Sequence, residues 1–206
     1  AILHGADAVY IGAPSFGARA SAGVSIEDIG RLAHFARLYR AKVYVALNTI
    51  LYDDELPEAE RIAWELYRAG ADALIVQDMS LCRLNLPPIA LHASTQCDIR
   101  TVEKVRMFES LGYEQVVLAR ELSLPEIRKI ADSTSVVLEA FVHGALCVSL
   151  SGQCYLSEAL TRRSANRGAC AQLCRLPYTM IDADGKVIRS NQHLLSLKDL
   201  NRSAEL

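Results

Sequence analysis

The chain has 206 residues, which is enough for one domain with a sizeable core. Hydrophobic residues make up 51%, charged residues make up 22%, and the formal net charge is −2. This balance excludes a global positive field that would draw the chain to nucleic acid, so RNA contact would need a local basic patch. No apolar run approaches the roughly 18 uncharged residues of a membrane helix, and no signal peptide opens the chain. We therefore expect a cytoplasmic protein without a membrane span.

Short β-rich runs alternate with helical patterns along the chain. The strand candidates are Ala8–Ile11, Val43–Leu47, Ala73–Val76, Ile89–His92, Gln115–Leu118 and Val136–Phe141. Several of these are continuous runs of Val, Ile and Leu, which is typical of strands buried on both faces of a parallel sheet.

Helices with recognisable starts separate these strands. Ser25 precedes an amphipathic pattern, and Asp28 is placed to complete a capping box. Thr101 and Ser123 open two further helices in the same way. A fourth pattern covers Leu56–Ala69. Alternation of this kind predicts a parallel sheet with right-handed crossovers.

Polar residues follow the carboxyl end of nearly every predicted strand. They are Arg19, Asn48, Gln77, Asp78, His92, Ser94, Gln96, Arg120, Glu121, Glu139 and His143. Such a ring is typical of the catalytic face of a (β/α)₈ barrel. The pattern therefore predicts an α/β fold, a TIM-type (β/α)₈ barrel that is incomplete here. Because the chain begins at Ala1 without an initiator Met, we expect a fragment whose remaining strands lie outside it.

Three segments are predicted within one structural domain. Residues 1–145 hold the βα units of the barrel, and residues 146–177 form a cysteine-rich insertion. Residues 178–206 form a β-hairpin and return to the barrel. The hairpin strands are Tyr178–Asp182 and Val187–Arg189, joined by an Asp-Gly turn.

Four of the six cysteines lie close together late in the chain, at Cys147, Cys154, Cys170 and Cys174. Small residues surround them, as wrapping the backbone around a bulky inorganic core requires. Three alternatives are open: an iron–sulfur cluster, a zinc ion held by four thiolates, and reduced thiols without a metal. Structural zinc usually takes two Cys-x-x-Cys-like knuckles, and only one short gap exists here, which favours the cluster.

The other two cysteines stand apart from this group. Cys82 lies in an apolar helical context, which predicts a small core residue. Cys97 follows Gln96 at a strand end, and we expect it to serve in packing.

Glu139 and His143 alternate with Phe141 on a predicted strand, so the three residues share one face. A Glu on the inner face of a barrel is costly unless it is paired or functional, which makes Glu139 a catalytic candidate. For His143 a catalytic role and a structural role at a strand end are both open.

Arginines interleave with the cysteines. They are Arg162, Arg163, Arg167 and Arg175. Arg forks match carboxylates and phosphates, so these side chains could hold an anionic substrate or an RNA backbone. A solvated charge run explains the pattern equally well.

Several motifs along the chain are specific in combination. They are Gly5-Ala6-Asp7-Ala8-Val9-Tyr10-Ile11-Gly12, Glu139-x-Phe141-x-x-Gly144-Ala145-Leu146-Cys147, Ser151-Gly152-Gln153-Cys154-Tyr155-Leu156-Ser157, Asn166-Arg167-Gly168-x-Cys170 and Ser196-Leu197-Lys198-Asp199-Leu200. In these motifs, over essentially its whole length, the chain resembles the collagenase-like peptidase family, catalogued as unassigned peptidase family thirty-two.

The resemblance implies a function that differs from the family's name. The better-understood members are oxygen-independent hydroxylases with a 4Fe-4S cluster. They act on ribosomal RNA, on the wobble uridine of transfer RNA or on ubiquinone precursors, and prephenate is implicated as the hydroxyl source. Cys147, Cys154 and Cys170 match cluster ligands of the family. Some members take the fourth ligand from a Cys near the segment matching Lys198-Asp199-Leu200. No Cys follows that segment here, so Cys174 is the predicted fourth ligand.

Three functions are open at this point. The first is hydroxylation of an RNA base. Its catalytic candidates are Glu139, His143, Arg19 and His92, and its candidate substrate contacts are Asn48, Gln96, Arg120, Arg163 and Arg167. The second is a peptidase, for which Cys97 near His92 is the candidate nucleophile. The third is a non-catalytic binding module stabilised by a metal. The sequence does not determine the oligomeric state.

Overall fold

The computed structural model describes residues 1–205, and a six-stranded parallel sheet lies at its centre. The strands are β1 (Ala8–Gly12), β2 (Lys42–Leu47), β3 (Ala73–Val76), β4 (Ala90–Ala93), β5 (Gln115–Val117) and β6 (Val137–Glu139). They pair in chain order and every pair is parallel. The six predicted strands are confirmed, with small shifts at their ends.

The predicted helices are also confirmed. They are α1 (Ile26–Leu38), α2 (Leu56–Ala69), α3 (Val102–Ser110) and α4 (Leu124–Ala131). The Ser25 side chain accepts a hydrogen bond from the backbone N–H of Asp28, and Ser123 forms a full capping box with Glu126. The connection from β3 to β4 differs, because it holds a 3₁₀ helix, Met79–Arg83, in place of an α-helix.

The sheet has an apolar outer face and a partly polar inner face, because side chains alternate along each strand. On the outer face Val45 and Leu74 are fully buried in one core with Ile29 of α1 and Leu66 of α2. Successive parallel strands with helices on one side form a curled half-barrel. Closure into eight strands stays a prediction.

The chain after β6 is mostly irregular. Its elements are β7 (His143–Gly144), α5 (Leu156–Thr161), β8 (Tyr178–Ile181), β9 (Val187–Gln192) and β10 (Leu200–Asn201). The predicted continuous strand Val136–Phe141 is wrong at its end, because β6 stops at Glu139. β8 and β9 form the expected antiparallel hairpin, and β10 pairs with β7 beside the barrel. The three-segment division stays a prediction, and Leu206, its last residue, lies outside the described residues.

Within residues 1–205, every helix is too short or too polar to cross a bilayer.

We predict that Leu66→Ala lowers the free energy of unfolding by about 2–5 kcal/mol, since it opens a cavity between α2 and the sheet. Leu66 is 0% exposed, whereas Leu38, at the end of α1, is 70% exposed. The matched control Leu38→Ala should therefore change stability by less than about 0.5 kcal/mol. Urea denaturation of the full-length protein measures both, and equal losses would contradict this account of the core.

Candidate functional site

A cavity of about 590 Å³ opens at the carboxyl ends of the parallel strands. Six of the nine predicted catalytic and substrate-contacting residues line it. They are Arg19, Asn48, Gln96, Arg120, Glu139 and His143. The strands are parallel, so their carboxyl ends meet at one edge, and this is why residues distant in sequence converge here.

The other three predicted residues are absent from the lining of this cavity. His92 is buried on the inner face of β4, where its ring meets Tyr44 edge-on at a centroid distance of 4.6 Å. Burial lowers the pKa of His92 to about 4, which keeps the imidazole neutral at physiological pH. Arg163 is exposed on the surface, and Arg167 lies in an ion pair. Catalytic or substrate-contacting roles for these three stay predictions.

A hydrogen-bonded network links three strands at one wall of the cavity. Asn48 is buried, and its Oδ1 accepts a hydrogen bond from the backbone N–H of Ala18 at 2.8 Å. Its Nδ2 donates to the hydroxyl oxygens of Tyr10 at 3.1 Å and Ser94 at 3.0 Å. The sequence analysis did not single out Tyr10 as a site residue. The available signal was a polar hydroxyl on β1, two residues before the carboxyl end of that strand.

Glu139 lies at the opposite edge of the sheet, at the end of β6, and lines the same cavity. Gln115 of β5 donates a hydrogen bond to its carboxyl group at 2.5 Å. Burial raises the pKa of Glu139, and this outweighs the lowering effect of the Gln115 amide. Phe141 and His143 also line the cavity, although β6 ends before them. The three residues therefore line one cavity, but they do not alternate along one strand as predicted.

The cysteine segment is fixed to the half-barrel by a buried turn. Ser151 is fully buried, and its backbone N–H donates to Glu121 Oε1 at 2.6 Å. Its hydroxyl donates to Glu121 Oε2 at 3.1 Å and accepts from Arg120 Nε at 3.3 Å. This contact places the guanidinium of Arg120 beside the cavity. Glu121 was noted only as part of the polar ring, and Ser151 only as part of a motif.

Two glycines of the same segment lie against barrel backbone. Gly152 has φ +71°, and a Cβ on it would lie 1.9 Å from the carbonyl oxygen of Gln96. Gly168 has φ +83°, and a Cβ on it would lie 2.4 Å from the carbonyl oxygen of Gly17. Both positions combine a left-handed backbone with a close approach, so only glycine fits them.

The four late cysteines lie near one another. Burial is the main reason that the pKa of Cys174 is raised, and the thiols of Cys147, Cys170 and Cys154 raise it further. Arg175 acts in the opposite direction. Mutual electrostatic influence of this kind requires the four sulfur atoms to occupy one region of the segment.

The sulfur atoms of these four cysteines are candidate ligands for either of two inorganic centres, a zinc ion or an iron–sulfur cluster. Within residues 1–205 no three His, Cys, Asp or Glu side chains are preorganised around the position of a single metal ion. Tetrahedral zinc requires four sulfurs about 2.3 Å from one ion. In a 4Fe-4S cluster each thiolate binds a different iron, so the sulfur atoms lie further apart.

Arg167 fastens the cysteine segment to the loop before α2. Its guanidinium forms a two-pronged ion pair with Glu55, at 2.5 Å and 2.9 Å, and donates to the carbonyl oxygen of Ile50. It also lies over the ring of Tyr52, 4.1 Å from the centroid. These contacts hold the cysteine segment against the loop before α2.

The remaining two cysteines are packing residues. Burial raises the pKa of Cys97 to about 12, and its thiol donates to the carbonyl oxygens of Val76 and Gln77. Cys82 lies 3.3 Å from the hydroxyl of Tyr113. A thiol with so high a pKa is a poor nucleophile.

Comparisons with known proteins cover the whole chain. The family model described as Peptidase family U32 matches residues 1–206. A 23S rRNA 5-hydroxycytidine C2501 synthase of Escherichia coli (strain K12) is 59% identical over 206 residues, which is 100% of this chain and 32% of that protein. The tRNA hydroxylation protein P1 of Bacillus subtilis (strain 168) is 37% identical over 189 residues, 90% of this chain and 45% of that protein. The chain thus spans a third to a half of the length of these relatives.

One solved structure supports the fold. The structure of the U32 peptidase Mk0906 superposes with a TM-score of 0.56 and 18% sequence identity, covering 68% of this chain and 62% of that one. At this identity the likeness concerns the fold alone.

We predict that Gly152→Ala destabilises the protein far more than Gly185→Ala. Both glycines have a positive φ, but a Cβ on Gly185 meets no atom within 4 Å. The control should therefore cost about 1 kcal/mol of backbone strain, whereas Gly152→Ala must also displace the turn from Gln96. Thermal melting of the full-length protein compares the two, and similar melting temperatures would contradict the close contact.

We predict that the ion pair of Glu55 with Arg167 makes stability depend on pH. The hydrogen bond from Arg167 is the main cause of the lowered pKa of Glu55. The folded pKa lies below the unfolded one, so the stabilisation is complete above about pH 5 and is lost as pH falls through the folded pKa.

Glu55→Gln should therefore lower the unfolding free energy by about 1 kcal/mol at pH 7. The difference from wild type should diminish as the pH falls through the folded pKa of Glu55. Glu114→Gln, at an exposed carboxylate without an ion pair in the described part of the chain, is the control. Urea titrations at several pH values measure the difference, and a pH-independent loss would rule out the ion pair as its cause.

Proposed function

The chain belongs to peptidase family U32, and on that basis we propose that the full-length protein hydroxylates a cytidine of 23S ribosomal RNA. The observation that carries this proposal is the 59% identity, over the whole chain, to a 23S rRNA 5-hydroxycytidine synthase. The tRNA hydroxylation protein at 37% identity supports the same class of reaction on a different RNA.

The cavity suits one unstacked nucleotide. Its volume of about 590 Å³ lies within the range of small-molecule pockets. An enzyme that modifies a base must take that base out of the stack and into a pocket. Arg19 and Arg120 line the cavity and supply the forked donors that match phosphate oxygens. The net charge of −2 provides no overall attraction to RNA, so RNA contact requires a local basic patch. These two arginines provide such a patch.

We further propose that Cys147, Cys154, Cys170 and Cys174 hold a 4Fe-4S cluster. The observation that supports it is that the four thiols lie in one region of the segment, where they influence one another electrostatically. When bound, the cluster would supply redox chemistry beside the cavity. The protein's own residues anchor the segment, through Ser151 on Glu121 and through Arg167 on Glu55.

The remaining features of the proposal come from the family resemblance. The reaction uses no molecular oxygen, and prephenate is the hydroxyl donor. The half-barrel is part of a (β/α)₈ barrel in the longer protein, and the protein works in the cytoplasm. Within the cavity, burial raises the pKa of Glu139, so this carboxyl group keeps its proton to a higher pH than an exposed carboxyl group does.

The peptidase alternative is less well supported by the site. Its candidate nucleophile, Cys97, has a pKa of about 12, and its candidate base, His92, has a pKa of about 4. A nucleophile and a base require the opposite shifts.

The test uses a strain in which the gene for the full-length protein is deleted. We expect 5-hydroxycytidine to disappear from its 23S rRNA, as measured by mass spectrometry of nucleosides. Re-expression of the wild-type protein should restore the modification, also in cells grown without oxygen. An unchanged nucleoside profile in the deletion strain would overturn the proposed function.

Cysteine variants test the cluster separately. Cys154→Ser should abolish both the modification and the bound iron and sulfide of anaerobically purified protein. Cys82→Ser is the matched control, because a serine hydroxyl there can keep the hydrogen bond to Tyr113. Full iron content in Cys154→Ser would contradict the assignment of Cys154 as a cluster ligand. It would leave the proposal that RNA is the substrate intact.

A further inference from the structure

The Tyr10 hydroxyl is a polar group of the cavity that has no assigned role. Tyr10 lies on the inner face of β1 and lines the cavity, and 54% of its surface is exposed. Glu139 and Arg19, which line the same cavity, both influence its ionisation. Partial burial is the main reason that the pKa of Tyr10 is raised, so the phenol is protonated at neutral pH.

The orientation of the Asn48 amide follows from an unambiguous donor. The backbone N–H of Ala18 can only donate, and it lies 2.8 Å from one end of the Asn48 amide. That end is therefore the oxygen, and the other end is the NH₂ group. The NH₂ group has two hydrogens, which are directed to the oxygens of Tyr10 and Ser94.

This orientation dictates what the Tyr10 hydroxyl can do. Its oxygen already accepts a hydrogen bond from Asn48, so its own hydrogen must point to another acceptor. No residue in the described part of the chain accepts it. The network thus presents one phenolic O–H, held in place at its oxygen, to whatever occupies the cavity.

We propose that Tyr10 donates this hydrogen bond to the O2 carbonyl oxygen of a pyrimidine base in the cavity, and that Asn48 is the positioning residue that aims it. The inference rests on the proposed function and deepens it. Cytosine and uracil both carry O2 as an acceptor, so the contact orients a pyrimidine without selecting between the two. Other side chains must therefore distinguish cytosine from uracil.

The test pairs a change in the protein with a change in the RNA. The reaction contains the full-length, iron-loaded protein, prephenate and an RNA fragment with the target as cytidine or as 2-thiocytidine. Tyr10→Phe should slow single-turnover hydroxylation of cytidine about tenfold, the loss expected for one hydrogen bond. The 2-thio substitution should slow the wild type to a similar extent, since sulfur is a weak acceptor.

The rate of the Tyr10→Phe variant on 2-thiocytidine decides whether the two changes remove the same hydrogen bond. If Tyr10 contacts O2, Tyr10→Phe acting on 2-thiocytidine should be no slower than either change alone. Independent losses that multiply to about a hundredfold would overturn the contact. A Tyr10→Phe protein that is as fast as wild type on cytidine would also overturn it.

Asn48→Asp tests the positioning role. The new carboxylate still accepts a hydrogen bond from the backbone N–H of Ala18. Its second oxygen can only accept, so the hydroxyls of Tyr10 and Ser94 must donate to it. The hydrogen of the Tyr10 hydroxyl is then no longer available to a bound base. The rate should fall as far as in Tyr10→Phe, and adding Tyr10→Phe to it should cause no further loss. A merely structural Asn48 would give additive losses in the double variant, which would refute the positioning role.

Tyr44→Phe is the matched control, because Tyr44 lies on the same inner face and is not part of the cavity lining. It should retain the wild-type rate and the full hydroxylated fraction in cells. Thermal melting and visible absorption of every variant separate loss of the contact from loss of folding or of the cluster. If deletion of the gene removes 5-hydroxycytidine while Tyr10→Phe restores it fully, this inference fails and the proposed function stands.

Discussion

The buried turn at Ser151 and Gly152 determines how the two halves of this site meet. A carboxylate from the barrel, Glu121, receives both the backbone N–H and the hydroxyl of Ser151, while Gly152 lies directly on the carbonyl of Gln96. Neither contact tolerates a larger or less polar residue, since the serine is fully buried. The irregular cysteine segment thereby acquires a fixed position relative to the sheet, although it has little regular structure of its own.

The parallel sheet imposes the second constraint. Six strands in chain order bring their carboxyl ends to one edge, and the side-chain alternation divides each strand between an apolar outer face and an inner face. At this edge the side-chain amide of Asn48 forms hydrogen bonds to Tyr10, to Ser94 and to the loop at Ala18. A single side chain therefore sets the relative positions of β1, β2 and β4 where the cavity begins.

Much of this could be predicted from local signals. Strand and helix positions followed from residue patterns and caps such as Ser123 with Glu126, because those interactions are local in sequence. The sequence pattern did not reveal the destination of Arg167, whose partner Glu55 is 112 residues away. The sequence pattern also placed His92 among the polar strand-end residues. The burial of His92 depends instead on the pairing of β4 with its neighbouring strands, which local patterns do not show. The end of β6 was missed because an apolar run does not mark where strand pairing stops.

The close approach of Gly168 to Gly17 has a consequence for maturation of the protein. The carbonyl of Gly168 accepts a hydrogen bond from the backbone N–H of Ala20, next to Arg19 in the chain. The loop that carries Arg19 is therefore held by a hydrogen bond to the backbone of the segment between Cys154 and Cys170. A newly made chain whose cysteine segment is still unfolded lacks that support, so the position of the loop at Arg19 depends on the folding of this segment.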